Sequence, residues 1–231
     1  MTSNKILITG CPRSGTTLMG QLVAHGFSNV IFLPNERKIL EFTELVPEDH
    51  WVVAKRARDA SILRECVEQG FWVIWMTRDP RDVVVSIYSG DKNRFRVDFP
   101  RWYLSQQRVA RIAGYSKLLM VSFEKLLKDP ETLQIMIENS IGLKRIRSFN
   151  ECWRYFDTFE TNPNIKALNS VRPMDSSVIG GWKRFQDRIT KTVELYPEIL
   201  DCLIDLGYET DRLWLQKTEF KQHCDDVSGR T

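Results

Sequence analysis

Two groups of residues in this chain have the types and spacing to hold phosphate. The first is the octet Gly10-Cys11-Pro12-Arg13-Ser14-Gly15-Thr16-Thr17. Its bounding glycines permit positive φ and close backbone approach. Arg13 puts a guanidinium inside the turn, and Thr16 and Thr17 put hydroxyls at its end. The spacing is that of the triphosphate loop G-x-x-x-x-G-K-[ST], except that position 16 is Thr and not Lys. In nucleotide hydrolases that Lys reaches the β- and γ-phosphates. The octet therefore reads as a phosphate cradle poorly suited to a triphosphate and its magnesium. The second group is Arg78-Asp79-Pro80-Arg81-Asp82-Val83-Val84-Val85-Ser86, an Arg and a Ser hydroxyl eight residues apart. Both can converge on one phosphate, with the Arg forming a forked, charge-assisted pair. Each such contact contributes about 1.5–3 kcal/mol.

The flanking segments show how these groups are positioned. Ile6-Leu7-Ile8 reads as a strand and Leu18 to His25 as a helix, so the octet joins strand to helix. In that context unpaired N–H groups and the helix dipole face an anion. Val30 to Leu33, Trp51 to Ala54, Phe71 to Met76 and Leu118 to Val121 read as further strands, the third apolar enough to be central and covered on both faces. Helices are expected near Ser61–Gln69, from Pro80 onward, over Asp98–Ala113, from Asp129-Pro130 to Gly142, near Phe149–Phe156, and from Pro197 to Leu206. Ser86 is then expected two turns along the helix that opens at Pro80. Alternating strands and helices predict an α/β fold: a mostly parallel sheet with helices on both faces, the three-layer sandwich of P-loop nucleotide-binding proteins. The expected organisation is one domain over residues 1–215 and a polar tail over 216–231.

The Pro-Arg-Ser-Gly-Thr-Thr turn resembles the 5′-phosphosulfate loop of sulfotransferases, which use 3′-phosphoadenosine 5′-phosphosulfate (PAPS). The Arg78…Ser86 pair is similar to that family's 3′-phosphate motif. Ser122-Phe123-Glu124-Lys125-Leu126 with Asp129-Pro130 looks like its late aromatic-Glu element, and Gly180-Gly181-Trp182-Lys183-Arg184 resembles the segment that closes over the cofactor. The resemblance runs in order from Gly10 to Arg184. It implies sulfuryl transfer from PAPS to a hydroxyl or amine by in-line displacement, with spent PAP as product and no metal. It implies that Cys11, Pro12, Arg13, Ser14, Gly15, Thr16, Thr17, Arg78, Ser86, Phe123, Arg172, Gly180 and Gly181 bind the cofactor. Phe123 is the adenine contact or a core aromatic, and Trp182 a packing or a stacking residue. Arg13 is also expected to act in catalysis.

The proton acceptor is the open position. Cytosolic eukaryotic members use a His at the end of an early strand, and Val52 to Asp59 contains none. Some bacterial members use a Glu about two dozen residues after the phosphate turn. Glu36 lies 23 residues after Arg13, past a strand, and is the first choice. Glu41, Asp59 and His50 are the alternatives, while His25 and His223 read as structural or peripheral. Lys92 to Arg96, with Arg101-Trp102-Tyr103, reads first as a solvated loop and helix face, and otherwise as the lining of an acceptor pocket for a glycan or an acidic substrate or as a nucleic-acid contact. The expected partner is a small-molecule or glycan acceptor.

Composition narrows the remaining classes. The chain has 231 residues, 42% of them hydrophobic and 27% charged, which suits a packed globular core. A net charge of +3 fits an anionic cofactor and is too small to argue for nucleic acid. Five scattered cysteines form no C-x-x-C pair and read as reduced thiols. No apolar run reaches the roughly 20 residues of a membrane helix, and Met1 to Lys5 lead directly into the first strand. The expected location is the cytoplasm. Two other functions compete: a P-loop kinase, which needs the missing Lys and magnesium ligands, and a non-catalytic nucleotide-binding protein.

Overall fold

A computed structural model of the chain describes residues 4–33, 36–42, 46–57, 61–88, 91–157, 168 and 171–215. Its centre is a five-stranded parallel sheet of β1 (Lys5–Gly10), β2 (Val30–Leu33), β3 (Trp51–Lys55), β4 (Trp72–Thr77) and, fifth in this sheet, Leu118–Ser122. A short antiparallel hairpin, β5 (Ile87–Tyr88) and β6 (Asp91–Phe95), precedes that last strand, which is therefore β7. The sheet order is β2-β3-β1-β4-β7, with β1 in the middle.

The two-residue period of the strands divides their side chains between two cores. Ile6, Ile8, Val53, Ile74 and Met76 join one apolar cluster with Met19, Leu22 and Val23 of α1 (Thr16–Gly26). Leu7, Val52, Ala54, Val73 and Trp75 join the other with Leu63 and Cys66 of α2 (Leu63–Glu68). Both faces of the sheet are thus covered, which is why β4 reads as a continuous apolar run. A third cluster lies apart from the strands. It gathers Val83 and Val84 of α3 (Pro80–Val84), Phe99 and Trp102 of α4 (Phe99–Ala110), and Trp182, Ile189, Ile199, Leu203 and Trp214.

Local chemistry sets the element ends. Asp129 accepts the N–H of Thr132 at 3.2 Å ahead of Pro130, and Gly142 takes φ 85° at the far end of α6 (Pro130–Ile141). Ser122 caps α5 (Phe123–Lys128) through the N–H of Lys125 at 3.2 Å. Phe149–Cys152 forms α7, continued by a 3₁₀ turn at Trp153–Tyr155, where one longer helix was expected. Two further helices follow, α8 (Gln186–Leu195) and α9 (Ile199–Asp205), the latter stopped before Gly207.

One expectation fails in a way that matters. The helix opened by Pro80 stops at Val84, so Ser86 is not on it. The β-branched run Val83-Val84-Val85 is a poor helix sequence. The backbone turns out instead, and Ser86 accepts the N–H of Arg96 at 3.1 Å as the β5–β6 hairpin begins. Residues 216–231 lie outside the described residues. Among the described residues, no helix is long and apolar enough to cross a membrane.

Candidate phosphosulfate-binding site

The octet leaves β1 in the middle of the sheet and runs into α1. Gly10 has φ 153°, and a Cβ there would stand 2.5 Å from the carbonyl oxygen of Met76. Gly15 has φ 87°, and its Cβ would stand 2.4 Å from the Phe123 ring. Gly15→Ala is accordingly expected to strain the backbone, displace Phe123 and weaken binding of a nucleotide bisphosphate, with a fall in Tm. Calorimetry and thermal unfolding of that one variant check both effects. Arg13 also sits at positive φ, 77°, which is uncommon for a residue with a Cβ. Strain of this kind persists where the surroundings impose it. Here the imposing contacts are a bond from Arg78 Nη1 to the carbonyl of Arg13 (3.0 Å) and one from Arg13 Nε to Ser86 Oγ (2.7 Å).

The two phosphate motifs therefore meet in one place. Arg13, Arg78 and Ser86 line a cavity of about 610 Å³ with Gly15, Thr16 and Thr17 of the loop. Phe123, Leu127, Phe156, Met174 and Val178 make its apolar wall. Arg172, Gly181, Arg184 and Phe185 close another side. Phe123 is a core aromatic that also borders the cavity. It is buried, it packs on Gly15, and it still faces the cavity, with the Arg78 guanidinium 4.5 Å above its ring.

The charge of the site is one-sided. Burial first, then the charges of Arg78 and Arg96, lower the pKa of Arg13 from its ordinary value. Arg78 Nε and Ser14 Oγ are buried without a hydrogen-bond partner. Mutually repelling guanidiniums, a buried donor to spare and a helix N-terminus are a set that an oxyanion would satisfy.

Asp82 organises the wall behind Arg78, and the sequence motif gave no sign of that role. It is 2% exposed. Its Oδ2 lies 3.7 Å from Arg78 Nη2 and accepts the N–H of Gly180 at 2.9 Å, while Oδ1 accepts that of Trp182 at 2.9 Å. The amide of Gly180 is thereby directed at Asp82 and not into the cavity, a correction to its expected contact. Trp182 is a packing residue, buried in the third cluster. Cys11 is another correction: its side chain is fully buried in that cluster, where burial pushes the thiol up to about 12, so only its backbone belongs to the loop surface. Pro12 and Ser14 shape the turn, closed by Ser14 N–H to the carbonyl of Cys11 at 3.1 Å, without lining the cavity.

Glu36 stands elsewhere. It follows β2, has φ 53°, and accepts a 2.6 Å bond from Lys55 Nζ at the end of β3. It does not line the cavity. Since β3 flanks β1 on the side opposite β4, the Glu36–Lys55 pair and the cavity lie on opposite flanks of the phosphate loop. Glu41 is exposed and pairs with Lys38. His50 pairs with Asp49 at 2.9 Å, His25 lies 3.6 Å from Asp157, and neither lines the cavity. Asp59 and His223 lie outside the described residues. The basic-aromatic segment disperses: Trp102 is core, stacked on Phe99, and Phe95 meets Phe185 edge-on under the guanidinium of Arg188.

Comparison with known proteins agrees with this geometry. The sulfotransferase domain family matches residues 3–183. The solved sulfotransferase domain of the Synechococcus PCC 7002 olefin synthase is 18% identical over 79% of this chain and 88% of its own, with a TM-score of 0.58. The sulfotransferase domain from the curacin biosynthetic pathway is 16% identical over 78% and 90%, again at 0.58. Mouse sulfotransferase SULT7A1, solved as a complex with PAP, is 16% identical over 85% and 83%, at 0.60. These likenesses speak to the fold. No curated protein sequence matches the chain.

Proposed function

The chain belongs to the sulfotransferase domain family, and we propose from that premise that it moves a sulfuryl group from PAPS to a hydroxyl of a small-molecule or glycan acceptor, with Glu36 as general base. The convergence of Arg13, Arg78 and Ser86 on one cavity carries the donor half of this reading. Their residue types fit the group: two fixed guanidiniums and a spare buried N–H for phosphate, and an apolar wall at Phe123 for a base.

When bound, PAPS would supply the sulfuryl group, with the bond from sulfur to the 5′-phosphate oxygen breaking and PAP leaving. The chain's own residues hold the ends of that molecule. The N–H groups at the start of α1, with Arg13, Thr16 and Thr17, would take the 5′ end and stabilise charge gathering on the leaving oxygen. Arg78, Ser86 and Arg172 would take the 3′ end. In-line displacement needs the attacking hydroxyl on the side away from the leaving phosphate. Glu36 is on that opposite flank of the loop, which supports its choice as base. Lys55 engages Oε1 and fixes the carboxylate, so Oε2 would receive the acceptor proton. The described cysteines Cys11, Cys66, Cys152 and Cys202 form no disulfide, in keeping with a reducing, cytoplasmic compartment.

The test is titration of the protein with PAP, without metal. Saturation at 100 times Kd is expected to stabilise the fold by about 2.7 kcal/mol, read as a rise in Tm. Transfer of labelled sulfate from PAPS to a panel of phenols and glycans, unchanged by chelator, distinguishes this enzyme from a kinase. Tight PAP binding with no turnover on any acceptor identifies a binding protein instead.

A further inference from the structure

Residues 208–214 lie beyond the stretch the family matches, yet they touch three of the segments that wall the cavity. Tyr208 Oη donates to Glu124 Oε2 at 3.1 Å. The same carboxylate accepts Ser122 Oγ–H at 2.7 Å and, on Oε1, the N–H of Asp79 at 2.9 Å. One buried carboxylate thus ties the end of β4, which presents Arg78, to the end of β7, which presents Phe123.

The second contact is made by Glu209, which pairs with Arg81. Arg81 is 3% exposed and is also held by Asp79, whose Oδ2 lies 2.8 Å from its Nη2. The third is made by Trp214. The Arg81 guanidinium lies 4.7 Å from the Trp214 ring centroid and 4.2 Å from that of Trp182. The two indoles meet edge-on at 5.5 Å and 80°. The backbone N–H of Trp182 in turn donates to Asp82, the carboxylate paired with Arg78. A buried cation with two carboxylates and two aromatic faces is satisfied only while all its partners stay in place.

We propose that residues 208–214 act as a clasp that sets donor affinity, by holding Arg78, Phe123 and the 180–184 turn at fixed separations around the cavity. Tyr208 and Trp214 are positioning residues: they work through Glu124 and Arg81 and do not touch the ligand. The clasp rests on the donor reading of the cavity given above.

Its test uses the full chain and PAP as the probe. Trp214→Ala is expected to raise the calorimetric Kd for PAP about tenfold, and Tyr208→Phe about threefold, as for residues coupled through shared contacts. Trp214→Phe, which keeps an aromatic face for Arg81, is expected to restore most of the affinity. The KM for the acceptor stays at the wild-type value in all three. If Tyr208→Phe and Trp214→Ala bind PAP as the wild type does, even with a lowered Tm, the clasp is overturned. Should Trp214→Ala not fold, Tyr208→Phe decides alone, since it removes one oxygen. A wild-type chain that binds no PAP overturns the donor reading and the clasp with it, whereas wild-type binding shared by the variants overturns only the clasp.

Discussion

Arg78→Ala is expected to weaken PAP binding by roughly 10–100-fold, since one charge-assisted contact is worth about 1.5–3 kcal/mol. The loss extends beyond the phosphate. Arg78 also holds the carbonyl of Arg13 at 3.0 Å, covers the face of Phe123 at 4.5 Å and pairs with buried Asp82 at 3.7 Å. Without it, the left-handed backbone at Arg13 loses a restraint, and Asp82 keeps only the N–H groups of Gly180 and Trp182. Arg78→Lys retains a charge but not the fork, so its affinity is expected to fall between the two. Calorimetric titration of PAP into each variant measures this. Wild-type affinity in Arg78→Ala would remove the assignment of this pocket to the donor.

The second large effect is on turnover. Glu36→Gln is expected to lower kcat by about 10²–10⁴, the usual contribution of a general base. The Kd for PAP should stay unchanged, because Glu36 lies off the cavity and across the phosphate loop from it. Gln keeps an oxygen for Lys55 Nζ, so the local structure survives while the proton-accepting carboxylate is lost. Single-turnover rates with saturating PAPS separate this from an effect on binding. Wild-type turnover in Glu36→Gln would move the base elsewhere.

Much of the fold could be read from local pattern. The runs around Ile6–Ile8 and Phe71–Met76 are apolar on consecutive positions, which only a strand buried on both faces requires. Asp129-Pro130 and Gly142 mark their helix because caps depend on a few neighbouring residues. α8 was not called although Ile189, Val193 and Tyr196 fall at helical spacing and pack on the third cluster, because that short stripe is set among Gln, Asp, Arg, Lys and Thr. The hairpin was missed because β5 and β6 form a two-stranded sheet of their own, and β6 carries Asp91, Lys92 and Asn93 in place of an apolar run.

The site divides the same way. Arg13, Arg78 and Ser86 were found by spacing, and the structure brings all three to the cavity. Their partners Asp82, Glu124, Tyr208 and Trp214 were not found as such. Each is defined by a contact across 45 or more residues in sequence or by a ring meeting a ring, and no local pattern encodes that. Arg184 and Phe185 line the cavity through the same long-range closure.

The third apolar cluster rests on α3, α4, α8 and α9 and contains no residue of the five central strands. Stability within a protein is uneven, and units of this kind open at lower free energy than the whole. Cys11 joins the phosphate loop to this cluster and Arg78 holds the carbonyl of Arg13, so loop and wall loosen together as one unit while the sheet stays paired. Escape of the spent nucleotide would then be a local event, timed by how fast that unit breathes, and turnover could be limited by departure and not by bond cleavage.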